Sequence, residues 1–194
     1  MPVEGSSPGT PNRYRRPMFW LCAFGVSVGL LAAQPAPQSE EFLLTPGKAW
    51  RVDVGVPVDE LYDLVGRDNT RLVDLYYEGM FSPALEIRLP GSPGMVALVV
   101  PIREWPCRTF SVQGIEVRDP RFRTREGVGV GSTLGEVQKY YRVTLSNEEG
   151  YNAHAAAIRM TFRLESATRT GAARVRSVWI YADPGEIRQA RCPN

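Results

Sequence analysis

The chain has 194 residues, 43% hydrophobic and 23% charged, with a formal net charge of +2. That is the make-up of an ordinary globular protein, not of a disordered or fibrous one. The balance of 23 basic against 21 acidic residues gives no support to nucleic-acid or anionic-membrane binding, and a single histidine excludes a two-histidine metal site.

Residues 1–33 read as a signal peptide. Arg13, Arg15 and Arg16 form a basic start, residues 18–33 are almost unbroken apolar, and Leu31-Ala32-Ala33 ends in small residues. The run falls short of the roughly 20 apolar residues a spanning helix needs. An uncleaved N-terminal anchor, with Gly25 and Gly29 as its small-residue face, is the alternative. Cys22 follows Phe19-Trp20-Leu21, too bulky for a lipobox. Residues 34–42, opening QPAPQS, read as an extended linker. Export to the periplasm or medium leaves two cysteines, Cys107 and Cys192, and such a pair is expected as a disulfide.

Beyond the linker the chain reads as α+β: two similar modules, each a short helix plus an antiparallel meander, over residues 43–104 and 105–194. In the first, residues 43–56 enter as a strand. Gly55 and Pro57 then turn into a helix whose apolar face is Val58, Leu61, Leu64 and Val65, stopped by Gly66. Strands follow at 72–78 and 84–89, and the apolar run 95–102 fits a central strand. In the second, residues 110–117 form a strand broken at Gly114, and 118–125 a polar connector. Gly127, Gly129 and Gly131 lead into a helix on which Thr133 and Glu136 have capping-box spacing. Residues 158–164 alternate apolar and polar and, with 175–182, predict strands with one wet face.

The two modules read as a worn duplication: Gly55 matches Gly131, Glu60 matches Glu136, Leu61 matches Val137, and 87–89 (IRL) match 162–164 (FRL). One supersecondary unit used twice buries a shared core. Residues 34–100 hold five basic and ten acidic residues, net −5, whereas 101–194 hold fifteen and ten, net +5. Opposite charge of this kind is expected to draw the two modules together, with a basic surface for an anionic partner as the alternative.

The glycine run 127–133 (GVGVGST) fails as a phosphate loop. No lysine precedes its Ser or Thr, and Ser132 stands where a dinucleotide fingerprint needs glycine. Arg121, Phe122 and Arg123, in a stretch of four arginines around one aromatic, are the candidate binding residues for an anionic or acidic partner, set against a solvated connector with local ion pairs. His154 lacks the neighbours of a triad and reads as a surface or turn residue. Asp63, Asp68, Asn69, Asp74 and Glu78 lack EF-hand spacing. Trp50, Tyr62, Tyr76, Tyr77, Phe81 and Trp105 offer interface anchors, although most are expected in the core. No catalytic residue, metal or cofactor is expected.

The stretch 121–141, RFRTREGVGVGSTLGEVQKYY, resembles a pattern in uncharacterised exported bacterial proteins, where an EGxGVGSTLxEV-type turn precedes a short helix. Residues 131–137 are also similar to the tandem helix-plus-sheet modules of the outer-membrane assembly lipoprotein and β-lactamase-inhibitor type. The resemblance implies a non-catalytic protein-binding module of the cell envelope and transfers no functional residues. The sequence therefore reads as an exported, non-enzymatic protein that binds an envelope protein or component, touching membrane only through its N-terminal segment. A small-ligand binding or sensor domain is the alternative.

Overall fold

The computed structural model describes residues 40–77, 79–92, 94–105, 109–147, 150–166 and 171–182. All belong to one compact unit, Ala36–Asn194. The fold is α+β, mostly antiparallel sheet with two α-helices. Cys107, Cys192 and the leader lie outside the described residues.

The expected entry strand is instead a small three-stranded antiparallel sheet, β1 (Leu44–Thr45), β2 (Lys48–Ala49) and β3 (Val52–Asp53). Two turns break it. Pro46-Gly47 supplies the fixed φ of proline and a glycine at φ 76°, while Trp50 adopts φ 56°, unusual for a bulky residue.

Helix α1 (Val58–Val65) buries Leu61 and Val65 and ends at Gly66, φ 79°. The chain then forms β4 (Thr70–Tyr77), β5 (Met80–Ile87), β6 (Leu98–Trp105), β7 (Thr109–Val112) and β8 (Ile115–Val117). Helix α2 (Leu134–Tyr140) buries Leu134 and Val137. Its capping box is complete: Glu136 N donates to Thr133 Oγ1 at 3.2 Å, and Thr133 N donates to Glu136 Oε2 at 2.7 Å. Strands β9 (Thr144–Ser146), β10 (Asn152–Ala155), β11 (Met160–Leu164) and β12 (Val175–Ile180) complete the chain.

The large sheet has the order β4-β5-β6-β8-β12-β11-β10-β9, with β7 paired to β6, and every described strand pair in it is antiparallel. After each helix the chain starts at an outer edge and works inward, so β8 and β12 meet in the middle. Residues 87–89 and 162–164, matched in the sequence, do not correspond: Ile87 is on the second strand from one edge and Phe162 on the third from the other. Short apolar-Arg-apolar runs recur on any half-wet strand, which misaligned them.

The loops entering the two helices are tied down alike. Gly55 N donates to Val112 O at 2.7 Å, and Val112 N to Val56 O at 3.0 Å. Gly131 N donates to Val175 O at 2.7 Å, and Val175 N to Ser132 O at 2.8 Å. Both glycines have positive φ, 91° and 87°.

Directly opposed residues in antiparallel strands share a face, so the register assigns both faces. Ile87, Leu98, Val117, Val178, Phe162 and Ala153 line up across one face. They join Leu61 and Val65 of α1, Leu134 and Val137 of α2, and Leu44, Ala49 and Val52 of the small sheet in a single core. The helices and the small sheet thus serve the same face.

Candidate functional site

The other face carries a second row. Arg71, Glu86, Val99, Glu116, Trp179, Thr161, His154 and Thr144 oppose one another in turn across eight strands. Its middle is polar where the first face is apolar. Glu116 is 8% exposed, and its Oε1 accepts from Ser177 Oγ at 2.8 Å and from Arg163 Nη1 at 3.3 Å. Its Oε2 accepts from Arg118 Nη2 at 2.8 Å. Burial is the largest single influence on this carboxyl and acts to raise its pKa. Arg118, Ser177 and Arg163 together outweigh it and hold the group below the usual carboxylate range.

Trp179 lies beside this cluster. The Arg163 guanidinium is 5.2 Å from the indole centroid, within cation–π range. The ring packs on Gly114, where a Cβ would come within 2.5 Å of Trp179 Cζ2. Glycine is therefore required at 114 for close approach, which also explains the break between β7 and β8. Further along the row, Arg71 and Glu86 pair at 2.5 Å, and His154 Nδ1 is 3.0 Å from Thr161 Oγ1. His154 is thus a mid-strand residue rather than a turn residue. Ser111 Oγ and Gln113 Nε2, just before Gly114, are buried without a hydrogen-bond partner.

The residues expected to bind a partner sit elsewhere, and burial divides them. Phe122 is 0% exposed, edge-on to Phe42 at 5.2 Å, so it is a core residue and offers a partner no surface. Arg121 clamps the buried carboxylate of Asp119 at 2.6 Å, donates to Pro90 O, and stacks on Phe42 at 4.5 Å. Burial acts to raise the pKa of Asp119, but hydrogen bonds from the Arg121 side chain and backbone hold it low. Arg123 Nη1 donates to Val130 O at 2.6 Å. The polar connector is therefore a packed corner: Leu44 N donates to Arg123 O at 2.8 Å and Arg123 N to Phe42 O at 3.1 Å, tying it to the first residues of the unit.

Other expected features disperse. Among residues 127–133, Gly127 and Gly131 serve positive-φ turns, and a Cβ on Gly129 would lie 2.2 Å from Phe122 O. Asp63 and Asp74 lie on different elements, Asp68 and Asn69 in the turn between them, and Glu78 outside the described residues. Among the described residues no group of three His, Cys, Asp or Glu could hold a metal ion. Trp50 and Tyr62 pack against the core, but Tyr76 and Phe81 are 69% and 72% exposed. The side chains of Tyr77 and Trp105 lie outside the description.

The Glu116–Trp179 site left only a partial signal in the sequence. IEV alternates in strand fashion and sets Glu116 apart from Ile115 and Val117, but VWI is apolar throughout and gives Trp179 no such mark. Their partners, 61 positions away for Ser177 and 47 for Arg163, come from the fold alone.

No family model and no curated protein matches the chain. Among solved structures it is similar to the uncharacterized protein yfeY from Escherichia coli, with a TM-score of 0.49 and 12% identity, over 72% of this chain and 97% of that one.

Proposed function

We propose that this chain is an exported, non-enzymatic binding protein of the bacterial cell envelope, and that its contact surface is the sheet face centred on Trp179. The observation that carries this is the Arg163–Trp179 stack on a face that neither the helices nor the small sheet serve. Trp and Arg are the residue types most enriched at the energetic centres of interfaces. Glu116 fixes Arg163 in place, so less side-chain freedom is lost on binding. The exposed Arg71 and Arg118 at the margins suit a partner with acidic groups. The basic leader and its apolar run support export.

The two-module reading belongs to the same proposal, with shifted boundaries. The matched glycine turns, and their hydrogen bonds to Val112 and Val175, favour units of 52–117 and 128–180 rather than 43–104 and 105–194. The pairs Gly55/Gly131, Glu60/Glu136 and Leu61/Val137 keep one spacing in this arrangement. Two such units joined at β8 and β12 give one long rigid sheet, a suitable platform for a protein surface.

A photo-crosslinking amino acid at Arg118, in cells that make the protein naturally, tests this. One dominant envelope protein should be captured, and Trp179→Ala with unchanged circular dichroism should abolish the adduct. No adduct above that of the same probe at Arg125 would sink the reading. Ser111 Oγ and Gln113 Nε2 favour a second one, a small polar ligand beside Gly114. It predicts a thermal shift with a defined metabolite, lost in Gln113→Leu.

A further inference from the structure

The β4–β5 hairpin leaves the sheet halfway along its length. β5 pairs with β6 only over 84–87, whereas the other edge of β6 stays paired as far as Trp105, with β8 and then β7. Pro83 stands at the parting on β5 and cannot donate to a ladder. Residues 74–77 and 80–83 therefore pair only with each other and project as a two-stranded arm.

Such an arm should be polar, because it has no core to serve. Instead Leu72, Tyr76, Met80 and Phe81 are all 64–72% exposed. Tyr76 and Phe81 are cross-strand partners with ring centroids 5.2 Å apart, and Leu72 is on their face. This face continues the one that holds Leu85 and Ile87 in the core, so the apolar stripe runs out from beneath the covered part of the sheet. Exposed apolar clusters of this kind mark a contact.

We propose that this arm enters the interfacial layer of a zwitterionic lipid bilayer, a second membrane contact besides the N-terminal segment. Three observations select that occupant over a second copy of the chain. The three side chains that share this face, Leu72, Tyr76 and Phe81, expose together roughly 400 Å2, taking about 200 Å2 for a whole aromatic side chain, while Met80 lies on the opposite face. That is below the roughly 800 Å2 per partner of a stable protein interface. The shape is a narrow projection, which suits immersion better than mutual packing. Tyrosine, with its amphipathic ring, is favoured at the headgroup boundary, and Phe81 beside it adds apolar area. Asp74, exposed on the same face, disfavours an anionic surface.

The inference builds on the export reading, since the 18–33 run would bring the chain to a membrane, yet the two fail separately. Hydrogen–deuterium exchange of the full chain, with and without phosphatidylcholine vesicles, tests the arm. Amides of 74–77 and 80–82 should slow about tenfold with vesicles. The double variant Tyr76→Ser/Phe81→Ser should lose that protection while β8 and β12 exchange as in the parent. Unchanged exchange in the arm, or protection surviving in the double variant, would overturn the proposal. So would protection that grows with protein concentration in the absence of lipid, which would identify a second copy as the occupant. Cell fractionation tests export independently of either result.

Discussion

Glu116 stands directly opposite Trp179 where β8 meets β12, the seam at which the two halves of the large sheet join. A buried carboxylate and an indole thus stand side by side in the middle of the second face. One is fixed by Ser177, Arg163 and Arg118, and the other is packed on Gly114.

Removing the carboxylate leaves Arg163 and Ser177 without it in a half-closed site. Glu116→Ala should cost about 3 kcal/mol in urea unfolding, because an unpaired charge in such a place loses its compensation. Glu116→Gln should cost less, since it keeps an acceptor for Ser177.

The same group sets a pH dependence. Its folded pKa is depressed, so its contribution is fully present above the ordinary value of 4.5 and fades as pH falls through the lower folded value. The stability difference between the parent and Glu116→Gln should shrink steadily as pH drops from about 6 to about 3. A difference that grows on acidification would contradict the assignment.

Gly114→Ala places a methyl group 2.5 Å from the Trp179 ring carbon. The indole must move, and the Arg163 stack with it. Stability should fall by roughly 1–3 kcal/mol, and any partner affinity that runs through Trp179 should fall further, as measured by titration against the crosslinked partner.

The two helices should respond differently to loss of their N-caps. Thr133→Ala removes a complete capping box and should cost about 1 kcal/mol. Pro57, at the start of α1, makes no side-chain cap bond, so Pro57→Ala should cost α1 no cap. Leu61→Ala, which empties a fully buried site, should cost about 2–5 kcal/mol by thermal or urea unfolding.

Export predicts a processed N-terminus. Edman sequencing of the protein from its native cells should begin at Gln34, after Ala33. A start within the first few residues would overturn cleavage.

Local signals carried a good part of the fold. The α1 and α2 periodicities, the Thr133–Glu136 cap and the break at Gly114 depend on neighbours within a few positions, and each of these elements stands where the chain alone placed it, whereas the strand expected over 158–164 begins only at Met160, because Ile158 closes a 3-10 turn and Arg159 takes φ 54°. Two-residue turns were harder. The strand reading of 43–56 passed over the turn chemistry of Pro46-Gly47, and Trp50 at positive φ runs against its own propensity, so one entry strand became three short ones.

What the sequence by itself determined was the α+β class, the two helices and which residues of a strand share a face, because these follow from periods of 3.6 and 2. The tertiary structure alone decided which faces are covered. It buried Phe122 between arginines that read as a surface cluster, because the ring of Phe42, some eighty residues earlier, packs on both Phe122 and Arg121. It exposed Tyr76 and Phe81, which composition would have placed inside, because β5 parts from β6 at Pro83. It also assembled Glu116 with Ser177 and Arg163, since hydrogen bonds between distant residues exist only once strand order is set, and strand order is a property of the whole sheet.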